Sequence, residues 1–328
     1  MTTAIAARVP RLGRMRDLAL VPAIVVLILV GALIDPVFLS SANIVNVLQQ
    51  QTELSLLVLA EAIILIGGRF DLSLESTVGL APALAVTLVI PAASNGLGTE
   101  WATWLAIPIC LLVGVLIGAF NGMLILRFGL SAFIVTLGML IVLRGLQIGI
   151  TGGQNLFELP TSVLYLGNAV WLGLPASIWI CAVLFAAGIT LLGWFRSGRA
   201  VYAIGGNADA AKAAGIRADR VIFVVFMVGG LLAALAGLMM TGRLGSVAAA
   251  QGQGMIFTVF AAAVIGGVSM EGGKGTLFGA LCGVVVLGLI NNILTLAGVS
   301  AQWIQAIYGL IILIALMLAR LTTGKAQD

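Results

Sequence analysis

No histidine occurs anywhere in the 328 residues. The commonest metal ligand and the commonest proton shuttle near neutral pH are therefore missing. A Ser/His, Cys/His or HExxH arrangement cannot be built, which removes most hydrolytic chemistry. Charge is scarce too: 9% of residues are charged, and 61% are apolar. A soluble domain carries about 25% charged residues, and a chain this apolar could not cover its surface in water. The three cysteines, Cys110, Cys181 and Cys282, lie far apart in apolar runs. They read as small core residues, not as disulfides or metal ligands. The phosphate-binding pattern G-x4-G-K-[ST] is absent as well: the nearest stretch, GGKG at 272–275, has Gly275 where Ser or Thr is needed. Any ATP hydrolysis must come from another chain, and no cofactor is expected in this one.

What the chain has is long apolar runs. The reading is an all-α polytopic membrane protein, a single transmembrane domain over 1–328, with about ten transmembrane helices. They are expected at about 18–34, 43–67, 72–91, 102–126, 130–150, 176–195, 220–242, 255–268, 276–296 and 303–320. The first run follows Arg8, Arg11, Arg14 and Arg16. No small-residue cleavage site comes after it, so an uncleaved first span is expected. Basic residues gather on the cytoplasmic side of membrane proteins. With both termini cytoplasmic, 14 of the 16 basic residues fall inside, and only Arg144 and Arg243 fall toward the outside. The net charge of +4 is thereby explained without nucleic acid. The expected outer loops are 35–42, 92–101, 151–175, 243–254 and 297–302.

Glycine is abundant, at 42 residues, and Gly114, Gly118 and Gly122 stand four apart on one span. Such a stripe lets helix backbones approach closely. Two stretches look alike, LIGGRFDLSLESTVGLAPAL (65–84) and VIGGVSMEGGKGTLFGALCG (264–283). Each is an apolar helix ending in Gly-Gly, then a polar break, then a second helix.

Polar residues inside the spans mark candidate sites. Asn46, Gln50, Glu53 and Glu61 fall within an arc of about 80° at helical periodicity. A charge at the bilayer centre costs roughly 2.5–3.5 kcal/mol, so this stripe should face protein or a polar path. Thr136, Arg144, Gln147 and Thr151 make a similar stripe on another span, where Arg144 could pair with a carboxylate instead. In the break GGRFDLSLES (67–76), Asp71 or Ser73 can cap the following helix. The cytoplasmic loop 196–220 holds a short helix over 207–216, with Asn207 as N-cap, Asp209 in its first turn and Gly215 as C-cap. Its small, alanine-rich face suits insertion into a partner's groove.

These stretches resemble the permease subunits of ribose-type bacterial ATP-binding-cassette importers, a family shared with the branched-chain amino acid permeases. GGRFDLSLES resembles the Gly-Gly-Ile-Asp-Leu-Ser signature at Gly67, Gly68, Asp71, Leu72 and Ser73, with Arg69-Phe70 in place of the single Ile. NGMLILRFGLSAFIVTLGML (121–140), RGLQIGITGG (144–153) and AIGGNADAAKAAGI (203–216) match further segments in order, as does the run from Val264 to Gly309. The resemblance implies a ten-span permease in the bacterial inner membrane, working as a dimer with a second copy or a paralogue. It implies two ATPase subunits below, carrying ATP and Mg, and a solute-binding protein above. The ATPase-coupling residues would be Gly205, Gly206, Asn207, Asp209, Ala211, Ala214 and Gly215. The solute is expected to be a monosaccharide or related polyol, moved by alternating access. Candidates for its path are Asn46, Gln50, Glu53, Glu61, Asn121, Thr136, Arg144, Gln147, Asn291 and Asn292. The Gln49–Gln51 run with Glu53 and Glu61 is more polar than the family pattern and points to an unusual solute. Two other readings stay open: a branched-chain amino acid permease, and a secondary transporter using Glu53, Glu61 and Asp71 for coupling ions.

Overall fold

The computed structural model describes residues 20–300, 302–304, 306–311, 313 and 317. Arg8, Arg11, Arg14, Arg16, Arg320 and Lys325 lie outside the described residues. Twelve helices are named here: α1 (Val21–Ile34), α2 (Ser41–Ile66), α3 (Leu74–Val89), α4 (Ala106–Arg127), α5 (Ala132–Thr151), α6 (Thr161–Asn168), α7 (Ala176–Trp194), α8 (Arg196–Gly206), α9 (Ala208–Ala213), α10 (Ala218–Leu244), α11 (Met255–Ile265) and α12 (Leu277–Leu296). Residues 302–304 and 306–311 are also helical, where the tenth span is expected.

Among the described residues, five segments are long and apolar enough to cross a bilayer: Thr103–Arg127, Ala132–Thr151, Ala176–Trp194, Ala218–Leu244 and Leu277–Leu296. The 26-residue α2 is long enough as well, but its glutamines and glutamates dilute its hydropathy. Two helices are a few residues shorter than the spans read for them. The expected 72–91 and 255–268 spans are helical only over Leu74–Val89 and Met255–Ile265. At 1.5 Å per residue, α11 reaches about 16 Å, half of the roughly 30 Å hydrocarbon core. The segment 151–175, expected as an outer loop, carries regular structure. It holds α6 and a two-stranded hairpin, β1 (Val170–Trp171) and β2 (Leu174–Pro175), turned at Leu172 and Gly173 with positive φ at both.

The centre of the bundle is α2 and α10. From Thr52 to Ile66 every α2 residue except Ile63 is buried, with α3, α7, α10, α11 and α12 packed around it. An encircled helix can carry polar groups because lipid never reaches it. The most apolar stretch of α10 is 61% buried, against 22% for α5 at the periphery. The glycine stripe does what its spacing predicts. A Cβ at Gly114 would strike the Gly230 carbonyl, and one at Gly118 the Phe226 carbonyl. The α4 and α10 backbones therefore meet through glycine. Cys110, Cys181 and Cys282 are buried free thiols.

Polar turns segregate to two ends. At one end, Leu156 bridges to Val247, and Asn95 Nδ2 donates to Gln154 at 3.0 Å. At the other, Tyr202 donates from its hydroxyl to the Gly275 carbonyl at 2.9 Å.

Candidate functional site

The first polar cluster lies in the break between α2 and α3. Gly67 ends α2 and Gly68 turns left-handed at φ +74°, a conformation glycine adopts without steric cost. The chain then runs without helix to Ser73. Asp71 accepts from the Ser73 backbone N–H at 2.9 Å and from its hydroxyl at 2.6 Å. Asn121 of α4 donates to Ser73 Oγ at 2.8 Å and reaches Asp71 at 3.4 Å. Glu61 of α2 accepts from the Asp71 N–H at 3.4 Å. Ser73 itself caps nothing with its hydroxyl; Asp71 holds the helix start by taking the Ser73 N–H.

The second cluster surrounds the segment between α10 and α11. Gln251 donates to the carbonyl of Gly237, two turns back along α10, and to Val78, one turn into α3, at 3.2 and 2.9 Å. The segment 245–254 thus folds back into the bundle instead of staying at its rim. Non-helical backbone at membrane depth is tolerated only where its polar groups find partners. Here α5 supplies them. Gln147 donates to the Ala248 and Ala249 carbonyls at 3.2 and 3.1 Å, and Arg144 donates to the Gln251 carbonyl at 2.7 Å and to Gln147 Oε1 at 2.9 Å. Glu75, in the first turn of α3, accepts the Ile256 N–H at 3.1 Å and stands 3.7 Å from Arg144. Its carboxylate therefore fixes where α11 begins, at the positive end of the helix dipole. Gly79 gives Gln147 its space, since a Cβ there would strike Gln147 Oε1.

The remaining path candidates separate. Glu53 pairs with Arg243 at 2.7 Å. Asn46 and Gln50 are exposed and bond each other at 3.0 Å. Asn292 exchanges hydrogen bonds with Asn43 at 2.9 and 3.0 Å, while Asn291 accepts from Thr295. Thr136 is fully buried and donates back to the Ala132 carbonyl. Asn43 and Asn292 also line a largely apolar cavity of about 360 Å³ between α1, α2, α7 and α12.

At the end of the bundle that holds Tyr202, the expected helix over 207–216 is α9 with its caps. Asn207 accepts the Ala210 N–H at 2.9 Å, and Gly215 takes φ +82°. Asp209, Ala210, Lys212, Ala213 and Ala214 are exposed, whereas Ala211 is buried against the core, which corrects its expected place on the outer face. Gly205 and Gly206 end α8 and close a junction of bare backbones. A Cβ at Gly205 would strike the Ile66 carbonyl, and Gly68, Gly272 and Gly273 press on the same pair. Gly273 N–H donates to the Ile66 carbonyl at 2.8 Å. The two similar stretches thus meet at one point, and each carries the same helix end. Gly68 N–H bonds Leu65 and Arg69 N–H bonds Ile64; Gly267 N–H bonds Val264 and Val268 N–H bonds Ala263. That pair of bonds is the Schellman cap.

The sequence put Glu75 in the 67–76 break and allowed Arg144 a carboxylate without joining the two; it missed Gln251 and the Arg243 partner of Glu53. The only sequence signal for Gln251 was the polar Gln-Gly-Gln-Gly run at 251–254 between two apolar helices.

Interrupted helices, backbone returning into the bundle and intramembrane charges satisfied by that backbone define a membrane transport protein. The comparisons with known proteins agree. Residues 43–316 match the family described as branched-chain amino acid transport system / permease component. The ribose import permease of Haemophilus influenzae is 33% identical over 302 residues, 90% of each chain. That of Bacillus subtilis is 33% identical over 94% of each. An autoinducer 2 import permease of an Enterobacter species is 34% identical over 92% of this chain and 86% of its own. No solved structure matches. The chain belongs to this family of transport-system permease components.

Proposed function

We propose that this chain is the ten-span membrane subunit of a bacterial inner-membrane importer driven by a separate ATP-binding-cassette subunit, and that it moves a monosaccharide or related polyol. The observation that carries the reading is α9. It is a capped, exposed helix on the cytoplasmic end, attached through α8 to a backbone junction that touches both helix breaks. A secondary carrier has no need of such an attachment. The similarity to two ribose import permeases over about nine-tenths of their length supports a sugar. A second permease copy and an outer solute-binding protein complete the assembly. ATP and Mg belong to the partner chains, and selectivity rests largely in the binding protein.

Ala214→Glu and Gly215→Val test the dock. Ala214 is exposed, and valine at φ +82° costs about 1–2 kcal/mol in the left-handed region, so both variants should insert at normal levels. The expected result is loss of co-purification with a co-expressed ATP-binding-cassette subunit and loss of pentose uptake. Normal binding and uptake in both variants defeats the assignment. Uptake that collapses with the proton gradient while ATP stays high would restore the secondary-transporter reading, and uptake of leucine but not pentose the amino acid reading.

Topology is tested by cysteine labelling, in a background lacking Cys110, Cys181 and Cys282. Leu172→Cys, at the tip of the β1–β2 hairpin and 91% exposed, should react with an impermeant reagent in intact cells. Asp209→Cys should react only after the cells are opened. The reverse pattern overturns the orientation, with the loop 151–175 outside and α9 inside.

A further inference from the structure

Glu61 is fully buried inside the ring of helices around α2. Its carboxylate receives one long hydrogen bond, 3.4 Å from the Asp71 N–H to Oε1, and Oε2 receives none. Asn121, also fully buried, has spent its amide protons on Ser73 and Asp71 and leaves Oδ1 without a partner. Asp71 Oδ2 has only the 3.4 Å contact from Asn121. The donors of this cluster are used, and what remains are oxygens. Among the described residues the two ion pairs are Arg144–Glu75 and Arg243–Glu53, and neither reaches this cluster.

Burying an unpaired carboxylate costs several kcal/mol, so a species of opposite charge belongs here. The charge on Asp71 is shared among the Ser73 N–H, the Ser73 hydroxyl and Asn121; that on Glu61 is not. Glu61 is left to be neutralised by a proton or by a cation, beside several oxygens with no strong donor. A proton would neutralise Glu61 and make a single bond. A hard cation neutralises it and takes several oxygens at once. Intramembrane carboxylates beside interrupted helices are where transport proteins hold small ions.

We propose that Glu61, Asp71, Ser73 and Asn121 form a buried site for one desolvated monovalent cation, sodium, tying α2, the 67–73 break and α4 together. The cation is a structural tenant of the break, distinct from the transported solute.

The experiment uses the purified full-length permease in lipid nanodiscs, in choline buffer at fixed pH, with radioactive sodium as the probe. The expected result is saturable binding of one ion per chain, and a melting temperature raised by sodium but not by added choline at equal ionic strength. Glu61→Gln keeps the shape and the acceptor for the Asp71 N–H but removes the charge, and Asn121→Leu removes the orphaned oxygen. Each should weaken sodium binding by about tenfold or more. The wild-type arms do not depend on either variant folding. Absence of saturable binding, or undiminished binding in a folded Glu61→Gln protein, overturns the proposal. So does a melting temperature that follows pH and ignores sodium, which assigns the place to a proton. Pentose uptake is a separate readout: it can fail with sodium binding intact, or persist without it.

Discussion

Arg144→Leu should lower the permease's stability by about 3–5 kcal/mol, the usual cost of leaving a buried charge without its partner. Three losses combine. Glu75 keeps its carboxylate beside the α11 N-terminus with no cation near it, the Gln251 carbonyl loses its 2.7 Å donor, and Gln147 Oε1 loses its 2.9 Å donor. The guanidinium stands 3.7 Å from Glu75, so most of the expected loss lies in the backbone contact and the stranded charge. The measurement is thermal unfolding of the purified protein, with uptake in proteoliposomes alongside. Glu75→Gln separates the stranded charge from the other two, because it keeps an acceptor for the Ile256 N–H and removes the charge. In the Glu75→Gln background Arg144→Leu should cost clearly less than in the wild type. Equal costs in both backgrounds would show that the two side chains do not interact.

Gly205→Val should abolish uptake and destabilise the protein by about 3 kcal/mol, the upper part of the range for overpacking. The obstruction is backbone: the Ile66 carbonyl, and the Gly273 nitrogen at 2.6 Å from the added carbon. Neither can swing aside as a side-chain end can. Gly206→Ala is the control, since a Cβ there meets nothing within 4 Å and should shift stability by no more than about 0.5 kcal/mol. A valine at 205 that leaves melting temperature and uptake unchanged would show that the junction is not closed in the membrane.

The spans were legible because the bilayer imposes one demand, about 20 apolar residues per crossing. The places of α4, α5, α7, α10 and α12 along the chain follow from it. The Gly114–Gly122 stripe was legible because helical periodicity alone puts its members on one face. The start of α11 at 255 was legible too; only its end moved, from 268 back to Ile265, where the Gly266-Gly267 cap closes the helix. The arc of Asn46, Gln50, Glu53 and Glu61 did not become one path. An arc predicts a shared face, and α2 is packed on nearly all sides from Thr52 onward, so its polar groups are parcelled among separate partners. Glu53 found Arg243 at a separation of 190 residues and Arg144 found the Gln251 carbonyl at 107. No local pattern carries such distances. The Asn207 and Gly215 caps were readable, because capping is decided within one turn.

The meeting of Gly68, Gly205 and Gly273 has a mechanical consequence. A contact between side chains has slack, because a rotamer can change and absorb a displacement before it travels further. This junction has no side-chain torsion in it, and both chain ends that enter it are fixed by the same pair of cap bonds. It is stiff in compression and has no play. A push on α9 would therefore arrive at α3 and α12 together, with neither able to lag. Two helix breaks linked this way move in step, and a shape with one displaced and the other at rest is not one this backbone takes easily.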